Sequence, residues 1–505
     1  MRKLCFALIL LPMLLSGCHR RSGPTNTVTV LIESSPTNLD PRIGVDAPSE
    51  RIDMLLFDAL VHRDKNFGIE PWLAERWETP DPQTYVFHLH QGIHFTDGRT
   101  LTSRDVKWTI DSILNGTVVT VKANGYQSIA SIDTPDRLTV IFHLKRPDSS
   151  FLWNLCDGAS GIVPYGSGAD FWRHPIGSGP FKLVSQAQDR DVLISRNPAY
   201  WQAPPRLQEV RFAVVPDATT RALELQKGSA DLAINAFPSD MVAALARNNN
   251  LIVESGPGTI LNYITFNTRD PLLRDIRVRQ AIALAINRPL IIQSLFDGRA
   301  RLAESLLPPE HWAWTAKVEH HPYNPQAANA LLDRAGYPRA SRGIRFHIAM
   351  KTSTDETTRL LAMVLQQQLA AVGIQLDLRS FEFATFYADI TRGAFQMAPS
   401  RWIGGNEAPD IFRYSYAKAS FPPHGANRGY YENPEVDRLL ADAAASSQQA
   451  KQAQDYQQIQ QIVAHDLPTI DLWYLDTVAV HTRRLKNLTI SPSGDFNGLR
   501  TAFVG

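Results

Sequence analysis

Tyr85-Val86-Phe87-His88-Leu89-His90-Gln91-Gly92-Ile93-His94-Phe95-Thr96-Asp97-Gly98 alternates apolar and polar side chains on either side of Gln91-Gly92. That period of two is the mark of a half-buried strand. Read alone, the passage predicts a hairpin over 83–95 that turns at Gln91-Gly92. His88 and His90 are two apart and share a strand face, and His94 follows. A metal centre needs at least three ligands converging from fixed directions, so these histidines read as the polar face of the hairpin. The same block begins earlier, at Leu73-Ala74-Glu75-Arg76-Trp77-Glu78, and continues in Leu101-Thr102-Ser103-Arg104-Asp105-Val106.

On either side of this block, strand and helix patterns interleave. Strands are predicted at 27–33, 137–144, 207–215, 343–350, 374–378 and 395–403. Helices are predicted at 217–227, with Asp217 as cap and Gly228 as stop, and at 275–287, ending before Pro289. A further helix covers 357–372 and stops at Gly373. The Gln-rich segment 448–465 has helical period and a narrow apolar stripe, so it is expected on the surface. Such interleaving implies an α/β protein of several lobes. The 505 residues allow about three domains.

Composition narrows the function. Lys+Arg number 51 and Asp+Glu 50, a net charge of +1, which gives no support to nucleic-acid binding. Hydrophobic residues at 44% and charged residues at 20% exclude a disordered chain. Ten Trp, 14 Tyr and 22 Phe are enough to line a cavity as well as fill a core. No P-loop, HExxH or CxxC is present, and Gly177-Ser178-Gly179-Pro180 fits neither a nucleophile elbow nor a dinucleotide fingerprint. No catalytic residue, metal or cofactor is expected.

Arg2 and Lys3 precede an apolar run from Leu4 to Leu15. The run falls short of the ~20 residues that span a bilayer, so 1–17 reads as a secretion signal. Leu15-Ser16-Gly17-Cys18 resembles the bacterial lipobox, which implies lipidation of Cys18 and a tether over 18–26. Cys156 is then alone in the folded body, in the apolar stretch Phe151-Leu152-Trp153-Asn154-Leu155, and is expected to be a buried, inert thiol.

The ordered blocks resemble family 5 of the bacterial extracellular solute-binding proteins, the peptide-binding components of ABC importers. To those already quoted are added Gly177-Ser178-Gly179-Pro180-Phe181, Arg196-Asn197-Pro198-Ala199-Tyr200-Trp201 and the D-x-R-V-R-Q-A-x-x-x-A-I-N run over 275–287. Tyr323-Asn324-Pro325, with Ala335-Gly336-Tyr337 after it, and Asn433-Pro434-Glu435-Val436-Asp437 complete the series. The resemblance implies an α/β, two-lobed periplasmic-binding-protein type II-like fold with an extra subdomain inserted in lobe one. Lobe one would hold 27–55, 174–265 and 477–505, the insert 56–173, and lobe two 266–476. Hinge strands are expected near 261–268 and 472–482.

The resemblance also implies a role. A lipid-anchored, monomeric, extracytoplasmic receptor would capture a peptide or related small solute in the cleft and deliver it to a membrane permease. A sensor for a membrane receptor, or a binder of a metal chelate, sugar or opine, stays open as an alternative. Residues implied at the pocket are Ser34, Ser35, Asn262, Tyr263, Arg401, Trp402, Gly404, Gly405, Asn406, Trp473 and Tyr474. One departure stands out. Peptide-binding members place an Asp three residues after this Trp, against the ligand's ammonium; here Gly405 stands there. Glu407 is a substitute from the same loop; otherwise the ligand is blocked, uncharged or not a peptide.

Overall fold

The computed structural model describes residues 26–156, 160–340 and 342–505. The expected signal over 1–17, Cys18 and most of the tether lie outside the described residues. Among the described residues, no helix is long and apolar enough to cross a membrane.

One eleven-stranded sheet runs through the molecule, and two long strands form its middle: Leu251–Phe266 and Thr469–Thr482, paired antiparallel. On one side of them follow Leu232–Ile234, Thr27–Ile32, Glu209–Val214, Asp191–Arg196 and Phe181–Ala187. On the other side lie Met397–Trp402, Phe346–Ser353 and Ile374–Phe381, while Ala300–Leu302 pairs with the second long strand. Each half holds a parallel strand pair beside the long strands, Thr27–Ile32 with Glu209–Val214 and Phe346–Ser353 with Ile374–Phe381. Parallel neighbours need a crossover; in the second half it is the helix Glu356–Ala371, capped by Asp355 and followed by Gly373 at φ +88.

The halves have separate cores, so the molecule has two lobes. Val28, Val30, Phe181, Ile194, Phe212 and Leu499 pack in the first. Ile264, Phe266, Ile282, Ile348, Leu365 and Leu376 pack in the second. Between pieces of the first lobe the chain builds a four-stranded antiparallel sheet from Ala74–Asp81, Thr84–Leu89, Thr139–Leu144 and Ile129–Asp133. Its core gathers Phe87, Phe95, Phe142, Phe151 and the buried Cys156.

The hairpin expected at Gln91-Gly92 does not form. Thr84–Leu89 pairs with Ala74–Asp81 before it and with Thr139–Leu144 far along the chain. Both its edges are therefore occupied, and no edge is left for Ile93 and Phe95. His94 makes only an isolated bridge to Thr100. The alternation did report burial correctly, since this strand reads partly buried and buried in turn. His88 approaches Glu78 at 3.4 Å and the His90 ring packs on Trp201.

Most of the quoted blocks serve the scaffold. Buried Asp58 accepts hydrogen bonds from Trp72 Nε1 (2.9 Å), Ser178 Oγ (3.1 Å), Tyr200 OH (3.1 Å) and Trp201 Nε1 (3.0 Å). One carboxylate thus joins two of the blocks, and Trp72 just before a third, at the root of the insert. Gly177 and Gly179 lie against the backbone of Leu56, where a Cβ would collide. Asp275 caps Ile276–Ala285, and Arg279 reaches across to the carbonyls of Asp466 and Leu467, ending the helix Gln449–Asp466. Asn324 and Asn433 cap their helices, each with Pro in the first turn. Pro289 likewise opens a new helix, Arg288–Phe296, after the break at Ile286. The Gln-rich helix is less superficial than its composition suggests, for Asp455, Tyr456, Ile459, Gln460 and Val463 are buried.

Candidate functional site

The two long strands pass from one lobe to the other, and their pairing slips where they do so. Gly256 faces Thr477, but Ile260 faces Leu475. Pro257, Gly258 and Thr259 thus stand opposite Asp476 alone, a bulge. Bulges bend the strand and disrupt the ladder locally. A Cβ on Gly258 would run into the backbone of Leu475 and Thr477. A second slip follows Asn262, so that Tyr263 faces Asp471. The bulge lies just before the 261–268 stretch in which a hinge is expected, and its partner residues fall within 472–482.

Register sorts the predicted pocket residues onto two faces. Tyr263 pairs with Ser400 and Leu261 with Trp402, so these four share a face. The Tyr263 and Trp402 rings stack at 6.0 Å and 11°. Burial raises the Tyr263 hydroxyl to about 12. Asn262 pairs with Arg401 and Trp473, so these three occupy the opposite face. Arg401 is exposed there, in the field of Asp355. Trp473 is fully buried against Phe296. Tyr474 shares the Trp402 face but is also fully buried, with its hydroxyl on the carbonyls of Ser305 and Leu307. Both aromatics are core as the chain is arranged here.

The serines and the loop after Trp402 are also sorted. Ser34 is exposed at the end of the first strand, whereas Ser35 accepts a 2.7 Å hydrogen bond from the Asp189 amide. Gly404 takes φ +77 and leads into the short turn Gly405–Glu407. Asn406 is fully buried and donates to the carbonyls of Thr259 (2.9 Å) and Leu306 (3.0 Å), which fastens this turn to the bulge. Glu407 accepts from Thr259 Oγ1 at 2.8 Å and pairs with Arg63 of the insert.

That ion pair is one of several links between the insert and lobe two. The Trp312 amide donates to the Asn66 carbonyl at 3.2 Å. His311 stacks on Phe67, with Trp153 on its other flank. Its Nδ1 accepts from the Ala313 amide, so Nε2 carries the proton and donates to the Glu407 carbonyl at 3.1 Å. Burial pushes this imidazole down to about 3, against the opposing charge of Asp64. These contacts tie the insert to lobe two across the seam.

Two openings remain along this seam. One, of about 560 Å³, is lined by His62, Arg63, Lys65, Glu407, Ser491 and Asp495. The other, of about 730 Å³, is lined by aromatic Trp77, Tyr85, Trp153 and Trp312 with Gln449 and Gln452. A third, shallow pocket lies within lobe two beside Tyr263 and Trp402 and includes Arg428 and Ser415. Sequence reasoning missed Arg63, His311, Trp312, Ser415 and Arg428. The run His311-Trp312-Ala313-Trp314 was a readable sign of an aromatic contact; an isolated Arg63 or Arg428 gave none.

Two lobes on one sheet, two bulged crossing strands, and aromatic pockets along the seam define a solute-binding protein. The profile of the bacterial extracellular solute-binding proteins, family 5, matches residues 68–421, and the chain belongs to that family. It is a binding protein and not an enzyme. It is 28% identical to the probable di/tripeptide-binding protein 5 of Pseudomonas aeruginosa, over 98% of each chain. It is 29% identical to the glutathione-binding protein GsiB of Salmonella typhi, over 93% of each. Among solved structures, the ABC transporter-associated periplasmic binding protein DppA of Helicobacter pylori, in complex with the peptide STSA, is 25% identical, with a TM-score of 0.75 over 95% of this chain and 98% of that one.

Proposed function

We propose that this chain is the capture component of an ABC importer. It takes a small peptide or peptide-like solute between its lobes and hands it unaltered to a membrane permease. The single observation that carries this reading is the register slip between Gly256 and Ile260, opposite Leu475–Thr477, in the two strands that join the lobes. Motion there opens and closes the seam as rigid bodies. The names of the relatives, di/tripeptide-binding and glutathione-binding, support a solute of that size.

In this reading the insert is 56–173, and the hinge at the bulge moves 260–265 into lobe two, whose core holds Ile264, so that lobe one comprises 27–55, 174–256 and 477–505 and lobe two 260–475. The contact residues are Ser34, Tyr263, Trp402 and Gly404–Asn406, joined by Trp153, Trp312 and Arg428. Glu407 is no free substitute for the carboxylate missing at Gly405, because Arg63 already meets its charge. An uncompensated buried ammonium costs several kcal/mol. Free-amine dipeptides are therefore expected to bind, but more weakly than their N-acetylated counterparts. Cys18 anchors the chain by lipid at the outer face of a membrane.

The test is native mass spectrometry of the protein with di- and tripeptides and reduced and oxidised glutathione, followed by chemical analysis after long incubation. The reading expects one solute to bind at 1:1 and be recovered intact. No binding across the panel, or turnover of a bound member, overturns it.

A further inference from the structure

The pocket beside Tyr263 and Trp402 carries more information than its size. Arg428 lines it, half-buried, with its guanidinium 5.9 Å from the Trp402 ring centroid and 5.0 Å from that of Tyr387. The guanidinium's one protein hydrogen bond among the described residues runs from a terminal nitrogen to Tyr387 OH, at 2.9 Å. No carboxylate among the described residues pairs with it. A guanidinium has five N–H donors in a fixed fork, so most of this fork is unspent.

The loop beneath Arg428 is rigid. Asn427 donates to the carbonyls of Tyr416 (3.1 Å), Ala417 (3.0 Å) and Tyr431 (2.8 Å), and its Oδ1 accepts from the Tyr431 amide. The Thr268 hydroxyl holds the carbonyls of Gly429 and Tyr430. Preorganisation of this kind lowers the cost of binding.

A second polar group points the same way. Ser415 lines the pocket, is only 8% exposed, and its hydroxyl has no hydrogen-bond partner. An unsatisfied buried hydroxyl is costly unless a ligand meets it. Two exposed aromatic side chains lie against its lining, Tyr387 beside Arg428 and Tyr414 beside Trp402, and exposed apolar clusters mark binding grooves.

We propose that this pocket takes a carboxylate of the captured solute. Arg428 holds it by paired N–H donors, Ser415 supplies a hydroxyl donor, and the stacked Tyr263 and Trp402 rings pack against the apolar atoms beside it. The inference rests on the reading of the chain as a receptor for small peptide-like solutes, and it names the end of the solute that lobe two recognises. Bidentate pairing of arginine with carboxylate is the strong, directional form of such contacts.

The test is titration calorimetry on the full chain with two pairs of probes: trialanine and trialanine amide, glutathione and its diethyl ester. Masking the carboxylate is expected to weaken binding about 10- to 100-fold. Arg428→Gln should weaken the free acids by a similar factor and leave the masked forms unchanged. Arg428→Lys should restore part of the loss, and Ser415→Ala should lose a few-fold. Loss for trialanine as well as glutathione assigns the pocket to a peptide's terminal carboxylate; loss for glutathione alone assigns it to the γ-glutamyl end. Unfolding midpoints of the variants separate lost contact from lost fold. Equal binding of free and masked probes, or discrimination that survives Arg428→Gln, overturns the inference while the receptor reading stands. Failure of all four probes overturns both.

Discussion

The carboxylate of Glu407 in lobe two pairs with the guanidinium of Arg63 in the insert, and its other oxygen side is held by Thr259 at the bulge. One side chain therefore touches the insert, lobe two and the hinge. Glu407 is nearly inaccessible and Arg63 is about four-fifths covered. The pair thus sits between the surface case, which contributes little, and the fully buried case, where removing one partner costs ~3–5 kcal/mol.

Glu407→Gln is expected to shift the molecule toward the open form and to weaken solute binding by about 1–3 kcal/mol. Small-angle scattering of the solute-free variant reads the first effect as a larger radius of gyration. An unchanged radius and unchanged affinity would show that the contact is incidental to closure.

His311 makes stability depend on pH. Its imidazole is held neutral down to about 3, whereas a free one titrates near 6.5. The unfolded chain binds a proton below pH 6.5 that the folded chain refuses. Stability is then unaffected above that pH and weakens as pH falls below it, at a limiting slope of about 1.4 kcal/mol per unit. Denaturant midpoints between pH 7.5 and 4.5 should fall at the acid end, and His311→Gln should flatten the profile. Identical profiles for the two proteins rule the imidazole out.

Asp471 has the opposite sign. Burial raises its carboxyl to about 7, against a reference of 3.8. The folded chain keeps a proton that the unfolded chain releases, so its contribution to stability is full below about pH 4 and is lost as pH climbs to about 7. Denaturant midpoints of Asp471→Asn should lack this decline between pH 5 and 7.5. Parallel curves for variant and parent contradict the assignment.

Asp58 is a test of the scaffold. Its four donors include two indoles and a phenol that donate to no other acceptor among the described residues. Asp58→Ala leaves buried donors unmet, at about 1–3 kcal/mol for each group that water cannot reach. Hydrogen exchange should accelerate at 177–181 and 197–201 together, while lobe two stays protected. Acceleration confined to one segment would show that the carboxylate does not couple them.

Much of the fold was legible because its signals are local. Asp217, Asp275, Asn324 and Asn433 sit at helix starts for chemical reasons that hold in any protein. The hairpin at Gln91-Gly92 was misread because pairing is not local: the true partner strand, Thr139–Leu144, lies some fifty residues on, and alternation reports burial without naming a neighbour.

The site was legible only in part for the same reason. Tyr263 and Trp402 could be placed on separate strands, but that they share a face depends on the pairing of Leu261 with Trp402 and Tyr263 with Ser400, which no pattern announces. Trp473 and Tyr474 looked like cleft residues by position and proved to be core. Arg63, His311 and Arg428 matter through contacts made across the fold.

The central claim is that the lobes close on a solute by bending at Gly256–Ile260 and Leu475–Thr477. Single-molecule energy transfer between dyes at Lys227→Cys and Glu356→Cys, exposed positions on opposite lobes, tests it directly, using whichever panel solute binds by mass spectrometry. The account predicts a population that shifts to the short distance when the solute is added and back when it is washed out. Binding without any change in that distance would contradict it.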